Sequence, residues 1–167
     1  MKVKKLTLAG LLIAIGVVCA TFSIPIGAAK CFPIQHMVNV IAGVLLGPLY
    51  SLSVAFCISL IRVLSGTGTL LAFPGSMLGA LCCGLLFKRF HKLPIAYLGE
   101  LIGTGVLGGL AAFPVATLLL GKEAALFAYV LPFMLSSLVG ATISILVLNV
   151  LTRTKVWQEW FICSQKS

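Results

Sequence analysis

The sequence predicts an all-α integral membrane protein with six transmembrane helices in a single domain, residues 1–167. The chain is 60% hydrophobic and only 9% charged, whereas soluble globular domains carry about 25% charged residues. Such a chain cannot cover itself with a polar surface in water, so lipid is the solvent that fits. The apolar residues also form runs separated by turn signals, with basic residues clustered at their ends.

The six apolar runs are divided by helix-breaking residues, such as Pro25, the pair Gly47-Pro48, and Pro94. Crossing about 30 Å of hydrocarbon takes about 20 helical residues, and the first, fifth and sixth runs reach that length. The other three are shorter. They extend into flanking loops, or the second and third form a re-entrant hairpin. The predicted spans are 6–24, 34–46, 49–64, 74–88, 95–120 and 124–152.

The formal net charge of +9 reflects membrane topology rather than a nucleic-acid surface, because the basic residues flank the apolar runs. With the N-terminus inside, the outer face holds Lys30, Arg62 and Lys122. The inner face holds the nine others: Lys2, Lys4, Lys5, Lys88, Arg89, Lys92, Arg153, Lys155 and Lys166. This excess of inner charge predicts that both termini are cytoplasmic, with anionic lipid rather than nucleic acid as the neighbour.

The sequence contains no pattern typical of a metal site or of an enzyme active site. The six cysteines form no Cys-x-x-Cys pair, and a thiol inside an apolar run behaves as a small hydrophobe. His36 has no second histidine nearby and the chain has no aspartate, while a metal site needs three or four ligands. We therefore expect no metal site, no disulfide framework and no catalytic residues.

Polar residues at membrane depth are costly, so each one needs a reason. Several fall near the predicted outer face, where aromatic side chains lie at similar depth and supply apolar walls. Such a mixture is typical of a small-molecule pocket, although interfacial residues and helix caps have the same composition. The predicted substrate-binding residues are Gln35, His36, Asn39, Arg62, Thr67, Thr69, Phe73, Glu100, Thr104 and Tyr129.

Glu100 is the most informative of these residues, because a carboxylate within the fifth span must be paired, protonated or exposed to a water-filled cavity. Three roles remain open: a substrate contact, a structural partner of another polar group, or a proton carrier. Arg62 is the only basic residue placed at a comparable point of the sequence.

Small residues four apart allow helices to approach closely. The fifth span carries two such pairs, Gly99 with Gly103 and Gly105 with Gly109, which indicate internal packing. The first span carries Gly10 and Ala14. By spacing alone, this pair fits internal packing and the docking of a partner helix equally well.

Four stretches together resemble one known family. They are GAAKCFPIQHMVN at 27–39, GPLY at 47–50, GTGTLLAFPGS at 66–76 and GELIGTG at 99–105. A small, very apolar, six-helix chain with both ends inside resembles the substrate-binding S component of an energy-coupling factor (ECF) transporter. These stretches resemble the ThiW family within that group.

The resemblance implies an S-component-like helical bundle in the cell membrane of a prokaryote. The chain would capture hydroxyethylthiazole, a thiamine precursor, from outside. It would then join a transmembrane coupling subunit and two ATP-binding-cassette ATPases, which hydrolyse ATP while this chain carries no cofactor. Similar S components dock through an Ala-x-x-x-Ala pattern in the first helix, and the matching positions here are Gly10 and Ala14.

Other functions remain open at this point. Related S components bind other vitamins or precursors with the same architecture, because a fold does not determine its ligand. An autonomous carrier that uses Glu100 to shuttle a proton would transport in vesicles without ATPases. A membrane-embedded enzyme would need a nucleophile with a base, or metal ligands.

Overall fold

The computed structural model describes residues 2–21, 23–26, 29–121, 123 and 125–154. Within these ranges the chain folds into six helices and one short β-hairpin. The helices are α1 Lys2–Val18, α2 Pro33–Leu46, α3 Pro48–Leu64, α4 Ala72–Phe90, α5 Leu93–Leu119 and α6 Val130–Leu151. The hairpin pairs β1 Ile24–Ile26 with β2 Ala29–Cys31.

The ends of the middle helices follow the breaks read from the sequence. Prolines occupy the first turn of α2, α3 and α5, where the missing N–H would have no partner within the helix. Gly47, with φ at 89°, separates α2 from α3, a conformation that side chains rarely adopt. His91 ends α4 in the left-handed region, with φ at 52°.

The first helix is shorter than the predicted span 6–24, and the hairpin was not predicted. Helix α1 ends at Val18 and continues as one 3₁₀ turn, Cys19–Thr21. Pro25 explains the difference, because the residue before a proline is driven out of the helical region toward the extended one. Ile24 therefore starts a strand and pairs with Cys31. Phe22, within the predicted span, lies outside the described residues.

The last helix also begins later than predicted. The sixth span was expected from Ala124, a residue outside the described part of the chain, whereas α6 starts at Val130 after a turn at 126–129. A helix running from 124 would place Pro132 in its interior, where proline removes a backbone hydrogen bond and clashes with the preceding turn. Starting at Val130 places Pro132 in the first turn instead.

Helix α5 is continuous and changes its winding three times. It is α-helical over Leu93–Glu100 and Gly109–Pro114, and π-helical over Leu101–Gly108 and Val115–Leu119. Pro114 has no N–H to donate, which loosens the ladder of backbone hydrogen bonds at the third change. The first π segment follows Glu100 directly, and π segments are frequent at functional sites.

Helix α2 lies at the centre of the bundle and packs against α1, α3, α4 and α6. Eleven of its 14 residues are buried, as expected for a helix with neighbours on all sides. The surrounding helices expose large apolar side chains, among them Leu118, Leu131 and Val150. In the described residues, three helices are long and apolar enough to cross a membrane: Val3–Thr21, Leu93–Leu119 and Val130–Leu151.

Glycines set the close approach of α5 to α4. A Cβ on Gly103 would lie 2.7 Å from the Leu78 carbonyl oxygen and 2.8 Å from the Cα of Gly79. A Cβ on Gly99 would meet the backbone of Cys83 at 2.9 Å. Both positions therefore exclude a side chain, which confirms the internal packing predicted from the Gly99 and Gly103 spacing.

The Gly103→Ala variant should lower the free energy of unfolding in detergent by about 1–3 kcal/mol, because the added methyl overlaps the α4 backbone. The matched control is Gly10→Ala, where the new Cβ has no neighbour within 4 Å among the described residues beyond the adjacent backbone of its own helix. Denaturant titration of both variants measures the difference. Equal stability of the two variants would contradict the packing described for α4 and α5.

Candidate functional site

A carboxylate lies at the centre of the bundle. Glu100 is fully buried, and three side chains converge on its Oε1 atom. His36 Nδ1 lies 2.9 Å away, Asn39 Nδ2 donates at 3.2 Å and Thr104 Oγ1 donates at 2.9 Å. When the carboxylate is ionised, this geometry requires the His36 proton on Nδ1.

Helical spacing places these groups side by side. His36 and Asn39 are three residues apart on α2, while Glu100 and Thr104 are four apart on α5, so each pair shares a helix face. Gly79 of α4 makes room for them. A Cβ at Gly79 would overlap Thr104 Oγ1 and lie 2.8 Å from Glu100 Oε2. Three helices therefore define the position of the carboxylate.

A guanidinium lies at the other end of the same polar region. Arg62 of α3 is 1% exposed, and its Nη1 atom donates to Gln35 Oε1. The Arg62 Cζ atom lies 3.5 Å from the centre of the Phe32 ring, a cation–π contact. Gln35 also donates from Nε2 to Ser59 Oγ at 3.1 Å. This cluster joins α2 and α3.

Two serines connect the two ends. Ser59 Oγ lies 2.9 Å from Ser76 Oγ, and Asn39 Nδ2 donates to the Ser76 carbonyl oxygen at 3.1 Å. The chain of contacts therefore runs from Arg62 through Gln35, Ser59, Ser76 and Asn39 to Glu100. Neither serine was among the binding residues predicted from the sequence. A signal existed for Ser59, which precedes Arg62 by three residues and so shares its helix face.

The β-hairpin holds the Phe32 ring in place. The Phe32 backbone N–H donates to Ser136 Oγ of α6 at 2.8 Å, and Cys31 Sγ donates to the Pro132 carbonyl oxygen at 3.1 Å. Burial raises the pKa of the Cys31 thiol, which keeps it protonated as a donor. These two tethers join the end of the hairpin to α6 beside the Arg62 cluster.

Four buried polar atoms have no hydrogen-bond partner among the described residues. They are two acceptors, Asn39 Oδ1 and Glu100 Oε2, and two donors, Arg62 Nε and Nη2. A buried polar atom left without a partner costs about 1–3 kcal/mol, so such atoms are few in native proteins. Here all four belong to side chains of one network. The site can therefore accept hydrogen bonds at one end and donate them at the other.

Six of the ten predicted binding residues meet in this network: Gln35, His36, Asn39, Arg62, Glu100 and Thr104. Glu100 is paired with His36, and Arg62, the basic residue considered in the sequence, contacts Gln35 instead. The sequence placed Arg62 and Glu100 on different helices but carried no information on which polar residues would lie between them.

The other four predicted residues are not among the hydrogen-bonded side chains of the network. Thr67 and Thr69 are exposed in the α3–α4 loop, where Thr67 Oγ1 contacts the Arg62 carbonyl oxygen at 3.3 Å. Phe73 packs against Phe56, with ring centres 5.6 Å apart. Tyr129 is buried in a separate apolar cluster with Leu71, Ala112 and Ala116. All four were predicted to lie near the outer face, but a similar depth does not determine which neighbour a side chain contacts.

The predicted docking pair lies on an open face of α1. Gly10 and Ala14 are both exposed, and no described atom outside the adjacent backbone of α1 lies within 4 Å of a Cβ built on Gly10. Gly16, by contrast, faces α3, where a Cβ would meet the Ile58 side chain. Internal packing within the described residues therefore does not explain the Gly10 and Ala14 spacing.

One of three comparisons with known proteins gives a match. The family whose sequence model matches is described as "Thiamine-precursor transporter protein (ThiW)", and the match covers residues 6–154. Neither the curated proteins nor the solved structures gave a match. The matched residues include every member of the network that joins Arg62 to Glu100.

A double-mutant cycle tests the contact at the centre of the site. His36→Ala and Glu100→Ala should show a coupling energy of about 1–3 kcal/mol in the free energy of unfolding, because each substitution leaves the other residue without its buried partner. The control cycle pairs Glu100→Ala with Thr117→Ala, which bonds only within α5 and should be additive within about 0.5 kcal/mol. Additivity in both cycles would rule out the His36–Glu100 contact.

Proposed function

The chain belongs to the ThiW family of thiamine-precursor transporter proteins, and on that premise we propose that it is the substrate-capture component of an ECF importer for hydroxyethylthiazole. The observation that carries the proposal is the buried polar network with four unpartnered atoms in a chain that is 60% hydrophobic. Polar atoms without partners in an apolar bundle mark a binding site better than a structural one.

The chemistry of the ligand matches this network. Hydroxyethylthiazole is a flat, nearly neutral ring with one hydroxyl group. Glu100 Oε2 and Asn39 Oδ1 are the acceptors without partners, so either atom can accept a hydrogen bond from the ligand hydroxyl. His36 and Thr104 hold the other carboxylate oxygen and so fix the direction in which Glu100 Oε2 points. Phe32 adds an aromatic face near the other end.

The proposal assigns no chemical reaction and no cofactor to this chain. ATP hydrolysis belongs to two partner ATPases, which act through a transmembrane coupling subunit. The described residues contain no group of three or more His, Cys, Asp or Glu side chains that could hold a metal ion. His36 is already engaged by Glu100, so its role in the proposal is to position the carboxylate.

In the proposed topology all six helices cross the cell membrane of a prokaryote and both termini are cytoplasmic. The bias of nine basic residues against three supports this orientation, although Lys122, Lys155 and Lys166 lie outside the described residues. Helix α2, with 14 residues, is the shortest of the six. Its burial among longer neighbours supports a position inside the bundle, where little of α2 faces lipid.

The open face of α1 is the proposed docking surface for the coupling subunit. Gly10 and Ala14 lie one helical turn apart and leave the backbone accessible to a partner helix. The substrate network involves α2 to α5, so α1 is free for docking while the ligand is bound. The same geometry would serve an S component for another precursor, and the ligand is therefore tested separately.

The Glu100→Gln variant should weaken the binding of hydroxyethylthiazole to the purified protein by about 1–3 kcal/mol, because an amide replaces the carboxyl group that accepts the hydrogen bond from the ligand hydroxyl. Isothermal titration calorimetry gives the affinity, with thiamine and riboflavin as comparison ligands. Glu123→Gln, which changes an exposed carboxylate, is the control and should bind normally. Normal binding by Glu100→Gln would remove this residue from the site.

Leucine at Gly10 or Ala14 should abolish co-purification with the coupling subunit and leave ligand binding unchanged, since a bulky side chain prevents close helix contact. Val139→Leu, which alters an exposed position on α6, should co-purify normally. Retained co-purification of both α1 variants would argue against docking through this face.

Uptake by the chain alone in vesicles without ATPases would instead support a proton-coupled carrier.

A further inference from the structure

Arg62 is a buried cation without an anionic partner in the described part of the chain. It is 1% exposed, and the buried carboxylate of the network, Glu100, contacts His36 and not Arg62. Removing a charge from water without a counter-charge is expensive, more so in a protein surrounded by hydrocarbon. A buried arginine in this state indicates that its counter-ion arrives with another molecule.

The contacts of Arg62 leave one edge of the guanidinium unused. Nη1 donates to Gln35 and one face lies against Phe32, while Nε and Nη2 have no partner among the described residues. These two nitrogens carry parallel N–H bonds on the same edge. That edge forms the two-bond contact with a carboxylate or a phosphate group.

We infer that the ligand brings an oxyanion to the Nε and Nη2 edge of Arg62, so that acidic thiazole precursors bind more tightly than the neutral alcohol. This inference rests on the proposed function, since it names the charge of the thiazole that the site takes. A carboxylate and a phosphate ester share the required chemistry, because each offers two oxygens to the fork.

The two ends of the network also orient such a ligand. The Glu100 end of the site offers acceptor atoms without partners, which pair poorly with a second oxyanion, whereas the Arg62 guanidinium attracts it. The acidic side arm of the thiazole therefore points to Arg62, while the hydroxyl arm of the neutral alcohol points to Glu100. The two ligand forms thus depend on opposite ends of one site, and this difference is directly measurable.

The experiment compares three ligands on the purified wild-type protein by calorimetry: hydroxyethylthiazole, its phosphate monoester and the corresponding thiazole acetate. At least one acid should bind about tenfold or more tightly than the alcohol, since hydrogen bonds between charged groups are about twice as strong as neutral ones. The acid that binds more tightly identifies the oxyanion as phosphate or carboxylate.

Variants then assign the effect to the guanidinium. Arg62→Gln should weaken binding of the acid about tenfold or more and that of the alcohol less than about threefold, because only the acid uses the fork. Glu100→Gln should show the opposite pattern, with a larger loss of affinity for the alcohol than for the acid. Arg89→Gln, which removes an exposed arginine, should leave all three affinities unchanged.

The outcomes separate the two ideas. Binding of the alcohol with equal or weaker binding of both acids to the wild-type protein overturns the oxyanion and leaves the proposed function in place. Equal losses for acid and alcohol in Arg62→Gln also overturn it. If none of the three thiazoles binds, the proposed function fails and the oxyanion fails with it. The wild-type comparison is decisive even where a variant does not fold.

Discussion

The burial of one carboxylate organises the centre of this protein. Glu100 has no exposed surface, so its polar oxygens must find hydrogen-bond partners among groups that the fold itself supplies. His36, Asn39 and Thr104 converge on one of its oxygens, and this requires α2 and α5 to hold a fixed register. Asn39 also contacts the Ser76 carbonyl, which extends the constraint to α4. The other carboxylate oxygen is left without a partner. The same interaction therefore supports the fold and presents an acceptor to a ligand.

Glycine makes that arrangement sterically possible. Gly79 leaves space for the carboxylate, and Gly99 and Gly103 bring α5 against the backbone of α4. Gly140 similarly lets α6 contact the start of α2, where a Cβ would lie 2.8 Å from the Cβ of His36. Without a strong hydrophobic force between helices in lipid, close packing and hydrogen bonds must hold them together. The glycines and the polar network thus act together, because close backbones place short polar side chains within bonding distance.

Much of the fold follows from local sequence, and much of the site does not. Pro33, Gly47 and Pro48 stand at helix ends, and the predicted bounds of the middle spans lie within two residues of α2, α3 and α4. The errors arose at Pro25 and Pro132, where a proline inside an apolar run moved the true helix end. Hydropathy could not report these shifts, because strand, turn and helix are equally apolar there. In the site, burial cost singled out Glu100 and Arg62, and both are buried members of the network, whereas the small Ser59 and Ser76 carried no comparable signal.

The sequence by itself determined the solvent of this protein, its helical class, its family resemblance and the few polar residues that needed partners. Composition, the positions of charges and residue spacing are read along the chain, and they do not depend on which helices become neighbours in the fold. Only the tertiary structure decided that Glu100 meets His36, 64 positions away, that Arg62 meets Gln35, and that Tyr129 belongs to another cluster. It also decided that Gly10 and Ala14 stay uncovered. Such pairings depend on which helices are neighbours and which faces they turn to each other, and no local pattern in the chain encodes this.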